Sequence, residues 1–205
     1  MRVNEECDRE LFLDQARAGN LGVLGALLEL YRPYLTLLAR LEIGRRLRGK
    51  ADETDVVQDV FVEAVRQFGR FRGTGEPELT AWLRRILAGC LNMLARRYCG
   101  TQARDLRLEQ TFEYDLDRSS RILDNGLIDR GSSPSHKASR REQAVLLADA
   151  LERLPVHYRE VIVLHSLEGL TFREIGVSME RSAVAVERLW SRALPLLRQA
   201  LEAVR

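Results

Sequence analysis

Cysteine, proline and aromatic residues are scarce in this sequence: its 205 residues include three cysteines, five prolines and 6% aromatics. An odd number of cysteines without metal-ligand spacing argues against a disulfide framework and favours a reducing compartment, so we expect a cytoplasmic protein. The three histidines form no ligand pattern, and we expect neither a metal nor another cofactor. The residues concerned are Cys7, Cys90, Cys99, His136, His157 and His165.

Long apolar runs and alternating strand patterns are missing as well. No stretch reaches the roughly 18 apolar residues of a membrane span, and the polar start MRVNEECDRE is unlike a signal peptide. An apolar content of 45% with 30% charged residues is typical of a soluble globular protein. Because Leu, Ala, Glu and Arg dominate, the sequence predicts an all-α fold.

The net charge of +2 is unevenly distributed along the chain. Residues 40–104 hold 13 Lys and Arg against 8 Asp and Glu, and residues 181–205 hold 5 against 2, whereas residues 1–39 hold 4 against 6. Two separate basic segments suit two contacts with a polyanion such as nucleic acid. Solvated Arg-rich helix faces would give the same counts, so charge alone does not decide between the two interpretations.

Helical periodicity divides the first hundred residues into four segments. The predicted helices are 9–18, 21–41, 52–68 and 79–98. Residues 69–78 are predicted as a loop because of their glycines and Pro77. Pro33, inside the second segment, predicts a kink or a shared boundary. Asp52 is expected to cap the third helix, with Asp55 near the positive end of its dipole.

The helical period weakens after residue 100 and returns at residue 138. Residues 101–137 accumulate Gly, Ser, Asp and Pro, and we predict a flexible linker with a short helix or docked turn around residues 106–116. The sequence therefore predicts two small helical domains, at residues 1–100 and 138–205, joined by this linker.

The helix that follows Asp52 carries an organised polar face. Asp55, Gln58 and Asp59 fall at i, i+3 and i+4 and share one side of the helix. The apolar stripe on the other side consists of Val57, Phe61, Ala64 and Phe68. A solvated face requires polar residues but no particular arrangement of carboxylates and an amide. The pattern therefore raises the hypothesis of a surface that binds a partner.

Residues 171–194, TFREIGVSMERSAVAVERLWSRAL, have the layout of a helix-turn-helix. Thr171 with Glu174 is a capping-box pattern at the first helix, and Ser182 is the expected cap of the second. A single helix fits the DNA major groove, where its N-terminal side chains reach base edges. A plain helical hairpin would share this pattern, and Glu180 stands at the turn position where glycine is common. The residues expected on the DNA face are Thr171, Arg181, Ser182, Ala183, Ala185, Glu187, Arg188 and Arg192.

Individual residues of this second helix have distinct expected roles. The small Ala183 and Ala185 allow close approach to DNA, and Arg188 and Arg192, one turn apart, suit phosphates or guanine. Glu187 would repel phosphate unless it accepts a hydrogen bond from cytosine. Pro195 is expected to end or kink the helix.

The motifs occur in an order that resembles a known family. The matching stretches are 55–61, 68–73, 81–83, 150–161 and 167–175. They resemble, in turn, the D-x-V-x-Q-D-V-F-like helix, the F-x-x-F-x-G loop, the A-W-L helix, and the two region 4 motifs of the extracytoplasmic-function (ECF) group of sigma-70 factors. The resemblance covers about residues 9–99 and 138–202.

This resemblance implies a non-catalytic initiation factor that binds core RNA polymerase and directs it to a subset of promoters. Asp55, Gln58 and Asp59 would dock on the β′ clamp helices. The second domain would touch the β flap through apolar residues near Leu154, Val161, Ile162 and Leu164, although a core role is the better interpretation for most of them. An anti-sigma factor is a further implied partner.

The resemblance also implies two promoter contacts. Region 2 would melt and hold the −10 element, and region 4 would read the −35 element. The implied region 2 contacts are Trp82, Arg84, Arg85, Arg96 and Arg97. Trp82 suits either a stacking platform or the core. Where the family often has Asn and Asp, this chain has Gly89 and Met93.

Three other functional classes explain less of the sequence. A helix-turn-helix repressor or activator would explain residues 171–194 but does not need the face at Asp55, Gln58 and Asp59. A sigma-like interaction module without promoter binding would accommodate the departures at Gly89 and Met93. An enzyme is disfavoured, since the sequence has no Gly-rich phosphate loop, metal cluster or paired nucleophile and base.

Overall fold

The computed structural model describes residues 5–46, 51–99, 106–124 and 137–204. Over these residues the chain forms ten α-helices and no strand, which confirms the predicted all-α fold. It divides into two compact units, Met1–Arg118 and Ser119–Arg205.

The first unit is built from five helices and part of a sixth. They are α1 (Glu5–Arg17), α2 (Leu21–Glu29), α3 (Arg32–Arg46), α4 (Glu53–Gln67), α5 (Glu76–Cys99) and α6 (Leu106–Asp124). Helix α1 packs on α2, and α4 lies against both α3 and α5. Side chains fully buried in this core include Leu27, Tyr31, Tyr34, Leu38, Val57, Val60, Leu83, Leu87 and Leu91. Helix α4 is thus held on its apolar side, and its opposite side faces solvent.

The segment predicted as 21–41 is two helices. Helix α2 ends at Glu29 and α3 begins at Arg32, with a bend of 55° between them. Pro33 lies in the first turn of α3, where a missing N–H costs no intrahelical hydrogen bond. No single described helix is long and apolar enough to cross a membrane; only this bent pair, taken together, has the length and apolar composition of a span.

Helix α5 begins at Glu76, three residues before the predicted start. The Gly75 N–H donates to Glu78 Oε2 at 3.1 Å, and the Leu79 N–H donates to the Gly75 carbonyl at 3.1 Å. Pro77, whose presence predicted a loop, lies in the first helical turn. That position tolerates proline because its N–H has no intrahelical partner.

Helix α6 spans 19 residues within the segment predicted as a linker. The sequence indicated only a short helix or docked turn over part of this length. Phe112, Leu116 and Leu123 are buried at helical spacing, and Ser119 and Ser120 are buried beside them. The serines and aspartates of this segment predicted a linker. The buried apolar residues lie on one side of α6 only, which makes its helical period harder to recognise in the sequence.

The second unit contains the remaining helices. They are α7 (Lys137–Glu152), α8 (Val156–Ile162), a π-helical segment (Val163–Leu167), α9 (Phe172–Ser178) and α10 (Ala183–Val204). Helix α10 packs against α7, α8 and α9 and forms the centre of the unit. Fully buried side chains include Ala150, Val161, Ile162, Val163, Ile175, Val186, Ala193 and Leu197.

Helix α10 runs through Pro195 as one element. A proline at this position removes one backbone hydrogen bond, to the carbonyl four residues earlier. Burial of Ala193, Leu197 and Val204 on both sides of the proline favours continuation of the helix. Of the two expected effects of Pro195, an end or a kink, the helix end does not occur.

Candidate partner and nucleic-acid interfaces

The polar face of α4 follows a capped N-terminus. The Asp52 carboxylate accepts hydrogen bonds from the Thr54 hydroxyl and from the Thr54 backbone N–H, the latter at 2.7 Å. These bonds hold the pKa of Asp52 below its ordinary value. The predicted cap is confirmed, and it fixes where the helical register of α4 begins.

Asp55, Gln58 and Asp59 are all exposed on one side of α4. Their side chains make no hydrogen bond or ion pair with other residues that the structure describes. The opposite side is buried through Val56, Val57, Val60, Phe61 and Ala64. We call the three exposed side chains the α4 acidic face. A row of available carboxylates and an amide on a rigid helix complements a basic or polar partner surface.

Cys90 lies buried on α5 behind the α4 acidic face. Burial, together with the negative charges of Asp59 and Glu63, raises the pKa of the Cys90 thiol to about 11. The thiol is therefore protonated near neutral pH and is a poor nucleophile or metal ligand. Across the described part of the chain, no three His, Cys, Asp or Glu side chains are grouped to hold a metal.

Trp82 belongs to an aromatic cluster at the start of α5. Its ring centroid lies 5.0 Å from that of Phe71 and 6.1 Å from that of Phe68, and the Arg17 guanidinium lies 6.0 Å over Phe71. Both phenylalanines are buried, whereas Trp82 is half-buried. Gly73 approaches so closely that a Cβ there would collide with the Phe71 ring. Trp82 thus contributes to packing and still keeps part of its surface exposed.

One side of α5 is exposed and carries basic residues. Arg85, Arg96 and Arg97 are exposed on it, and Gly89 and Met93 lie between them at helical spacing. Met93 is 64% exposed. The two departures from the resembled family therefore lie on this surface and not in the core. We call these five residues the α5 basic face.

Arg84 does not belong to that face. It is only 8% exposed; its Nε donates to Asp117 Oδ1 at 3.2 Å and its Nη1 donates to the Tyr34 hydroxyl at 3.1 Å. The side chain connects α5 to α6 and α3 inside the first unit. This burial does not support the sequence-based assignment of Arg84 to DNA, because its guanidinium is already engaged away from solvent. Arg85, one residue and about 100° further round the helix, is exposed instead.

Helices α9 and α10 form the predicted helix-turn-helix. At α9 the Thr171 hydroxyl and the Thr171 N–H both donate to Glu174 Oε2, at 2.6 and 2.8 Å, and the Glu174 N–H donates to Thr171 Oγ1. These bonds hold the pKa of Glu174 below its ordinary value. At α10 the Ala185 N–H donates to Ser182 Oγ at 3.2 Å. Both predicted caps are confirmed.

The turn between α9 and α10 packs its backbone directly against Gly176. The Arg181 N–H donates to the Gly176 carbonyl at 2.8 Å, and a Cβ on Gly176 would lie 2.6 Å from the Arg181 carbonyl oxygen. Glu180 in this turn has a φ of 53°, in the left-handed region that favours glycine. This left-handed conformation explains why glycine is common at the turn position that Glu180 occupies here.

Replacing Glu180 with glycine is expected to stabilise the second unit. The left-handed conformation costs an L-residue about 1–2 kcal/mol, and the greater unfolded-state entropy of glycine offsets about 0.5–1 kcal/mol of the gain. The net gain of about 0.5–1 kcal/mol corresponds to a rise of roughly 2–8 °C in its thermal midpoint. Circular dichroism of the full chain measures this, with Glu202→Gly near the end of α10 as control. A lowered midpoint for both variants would contradict the expectation.

Helix α10 exposes a continuous stripe from its first turn. The predicted residues on it are Arg181, Ser182, Ala183, Glu187, Arg188 and Arg192, all of which are exposed. Ala185, which was also predicted, is half-buried. Val184 and Ser191 are exposed on the same stripe and were missed from the sequence. Their spacing from Arg188, four and three residues, is the signal that identifies them.

Three rings fix α9 against α10. The centroid of His165 lies 4.4 Å from Phe172 and 5.3 Å from Trp190, and Phe172 lies 5.9 Å from Trp190. His165 Nδ1 also lies 2.8 Å from the Leu170 carbonyl oxygen. The angle at which the α10 stripe is presented is therefore set by a packed aromatic cluster and not by the turn alone.

These surfaces define a class of protein: one unit carries an acidic docking face and a basic helix, and the other carries a helix-turn-helix. Two family models match the chain, Sigma-70 region 2 over residues 30–98 and Sigma-70, region 4 over residues 144–197. Together they cover more than half of its length. The chain belongs to the sigma-70 family and, by its relatives, to the ECF group of RNA polymerase sigma factors. Promoter-specific transcription initiation is the function of this class, and an independent repressor or activator is not favoured.

Curated relatives span most of the chain at low identity. It is 29% identical to the ECF RNA polymerase sigma factor BldN of Streptomyces coelicolor over 92% of this chain and 64% of that protein. It is 29% identical to the ECF RNA polymerase sigma-E factor of Haemophilus influenzae over 66% of this chain and 67% of that one. It is 24% identical to the sigma-E factor of Escherichia coli K12 over 96% of this chain and all of that protein. The chain thus spans about two thirds of the first two relatives and the whole of the third.

Proposed function

We propose that the α4 acidic face docks on the β′ clamp helices of core RNA polymerase, while the α5 basic face and the α10 stripe bind the −10 and −35 promoter elements. The observation that carries this proposal is the exposure of Asp55, Gln58 and Asp59, whose side chains have no hydrogen-bond or ion-pair partner among the described residues. An independent DNA-binding regulator needs the α10 stripe but has no use for such a face.

The polymerase contact is expected to be polar and orienting. Charge complementarity between carboxylates and a basic surface raises association rates and rejects wrong partners. The proposed β flap contact near residues 154–164 receives less support, since Leu154, Val161 and Ile162 are buried in the second unit. The α4 acidic face therefore carries the proposed core-polymerase contact.

The −10 contact is assigned to the α5 basic face together with Trp82. Exposed arginines attract the single strand, and the accessible part of a packed tryptophan offers a base a stacking surface. Arg84 is removed from this set because it is engaged with Tyr34 and Asp117. The remaining proposed contacts are Trp82, Arg85, Arg96 and Arg97.

The −35 contact is assigned to the α10 stripe and the caps that precede it. Arg188 and Arg192 are exposed one turn apart, and Arg181, Ser182 and Ala183 lead into the helix. Thr171, exposed at the N-terminus of α9, is assigned to the DNA backbone. Glu187 on the same stripe is assigned to a base edge, because it is unfavourable beside phosphate.

Arg188→Ala and Arg192→Ala are each expected to weaken −35 binding and to lower its salt dependence. A lost phosphate contact reduces the slope of log K against log salt by about 1. Holoenzyme binding to promoter duplex, titrated over several salt concentrations, measures the slope. Arg198→Ala is the control, since Arg198 is exposed on α10 about 15 Å beyond Arg188. Equal slopes in all three variants would remove Arg188 and Arg192 from the phosphate contacts.

The decisive experiment combines the purified chain with bacterial core RNA polymerase and measures binding and run-off transcription from a genomic fragment library. Tight binding with discrete start sites is the expected result. Binding without initiation would indicate a sigma-like interaction module. Specific duplex binding by the chain alone, without polymerase binding, would indicate a repressor or activator.

Regulation by an anti-sigma factor is a further part of this proposal. A partner that covers the α4 acidic face would prevent docking without touching the DNA-binding helices. Core polymerase as the partner places the action of the chain in the cytoplasm, in agreement with the reducing compartment expected from its cysteines.

A further inference from the structure

We infer that Val184 reads the C5-methyl group of a thymine in the −35 element. The inference rests on the proposed −35 contact and adds a base-specific residue to it. Val184 is 57% exposed in the first turn of α10, and its position was not expected from the sequence to face DNA.

The position of Val184 on α10 supports a base contact. It lies four residues before Arg188 on the exposed stripe, while Val186, Ala193 and Leu197 are buried on the other side. The N-terminal residues of a recognition helix are those that reach base edges in the major groove. Val184 therefore lies where sequence is read, one turn ahead of Arg188.

In the first turn of α10, Val184 is the largest apolar side chain that is exposed. Ser182 Oγ accepts a hydrogen bond from the Ala185 N–H at 3.2 Å as the helix cap, and Ala183 has only a methyl group. A valine in a helix holds nearly one rotamer, so its two methyl groups are presented with little conformational freedom to lose. In the major groove the apolar feature of the bases is the thymine C5-methyl, and apolar side chains contact it.

The test replaces thymine by deoxyuridine, which lacks only that methyl group. The −35 element is first obtained by transcription selection from a randomised library with the holoenzyme, and each thymine in it is then replaced singly. At one position, deoxyuridine is expected to weaken wild-type holoenzyme about fourfold, the ratio that corresponds to burial of about one CH₂. The same replacement is expected to have no effect on Val184→Ala holoenzyme, because the partner methyl groups are gone.

The matched control is Val177→Ala, a change of the same size at a valine that is 79% exposed on α9. It is expected to retain the full deoxyuridine effect. A deoxyuridine effect of equal size in wild type and Val184→Ala, or a selected element with no methyl-sensitive thymine, would overturn the inference. If the wild-type holoenzyme showed no −35-dependent transcription at all, the proposed function itself would be rejected, so the two failures are distinguishable.

Discussion

Reversing the charge of Asp55 and Asp59 together to lysine is expected to weaken binding to core RNA polymerase by at least about thirtyfold. Each substitution places a cation where the proposed partner surface is itself basic, and like charges across an interface cost several kcal/mol. A loss of 2 kcal/mol corresponds to about thirtyfold. Both positions are exposed on α4, and neither contributes to the buried side formed by Val57 and Val60.

The measurement is a titration of labelled core polymerase with the full chain at fixed salt, with circular dichroism to confirm that the variant is folded. The control is Glu113→Lys combined with Glu202→Lys, which changes the net charge equally at exposed residues on α6 and α10. The control is expected to bind as the wild type does, or slightly better through long-range attraction to any acidic polymerase surface. Equal losses in both double variants would mean that net charge, and not the α4 acidic face, governs binding.

Gln58 allows a further discrimination within the same face. It is exposed between the two aspartates but carries no charge, so Gln58→Ala removes the hydrogen-bonding amide without changing the charge of the face. A loss of about 1 kcal/mol, or roughly fivefold, is typical of a neutral hydrogen bond. The charge reversals are thus expected to reduce polymerase affinity much more than Gln58→Ala does, because electrostatic complementarity is the main source of orientation at this face.

The capping signals were read correctly from the sequence, whereas the long-range contacts of Arg84 were not. The caps at Asp52, Thr171 and Ser182 depend on residues two or three positions away, and all three form as predicted. The buried position of Arg84 depends on its hydrogen bonds to Asp117 and Tyr34, which are 33 and 50 residues distant in the sequence. A pattern of arginines on a helix does not contain that information, because either neighbour of the pair 84 and 85 could have been the exposed one.

Phase errors of a single residue explain the remaining differences at the site. The sequence placed Ala185 on the DNA face and omitted Val184, since small residues were favoured for close approach. One residue corresponds to about 100° on a helix. Val184 therefore lies about 200° round the helix from the buried Val186 and is exposed, whereas Ala185 lies only about 100° from it and is half-buried. The helix itself, its caps and its arginines were predictable, but the exact edge of the exposed stripe required the packing of α10 against α7, α8 and α9.

Replacing Gly176 with alanine is expected to abolish −35 recognition while leaving polymerase docking intact. The added Cβ would lie 2.6 Å from the Arg181 carbonyl oxygen, a backbone atom that cannot rotate away. The turn has little freedom to withdraw, because the Arg181 N–H is bonded to the Gly176 carbonyl and Glu180 already occupies a strained left-handed conformation. Overpacking of this kind costs about 1–3 kcal/mol, occasionally more.

Hydrogen exchange of the full chain distinguishes this local effect from general instability. Amides of α9 and α10 are expected to lose protection in Gly176→Ala, whereas those of α4 keep theirs, and core polymerase still binds through the α4 acidic face. Gly25→Ala is the matched control, since Gly25 is also inside a short helix but has nothing within 4 Å of an added Cβ. There alanine is expected to stabilise by about 0.5–1 kcal/mol. If Gly176→Ala instead kept full protection in α9 and α10 and normal −35 binding, the turn would have to relax without moving Arg181 and Ser182. The contact between Gly176 and Arg181 would then not be what positions the α10 stripe.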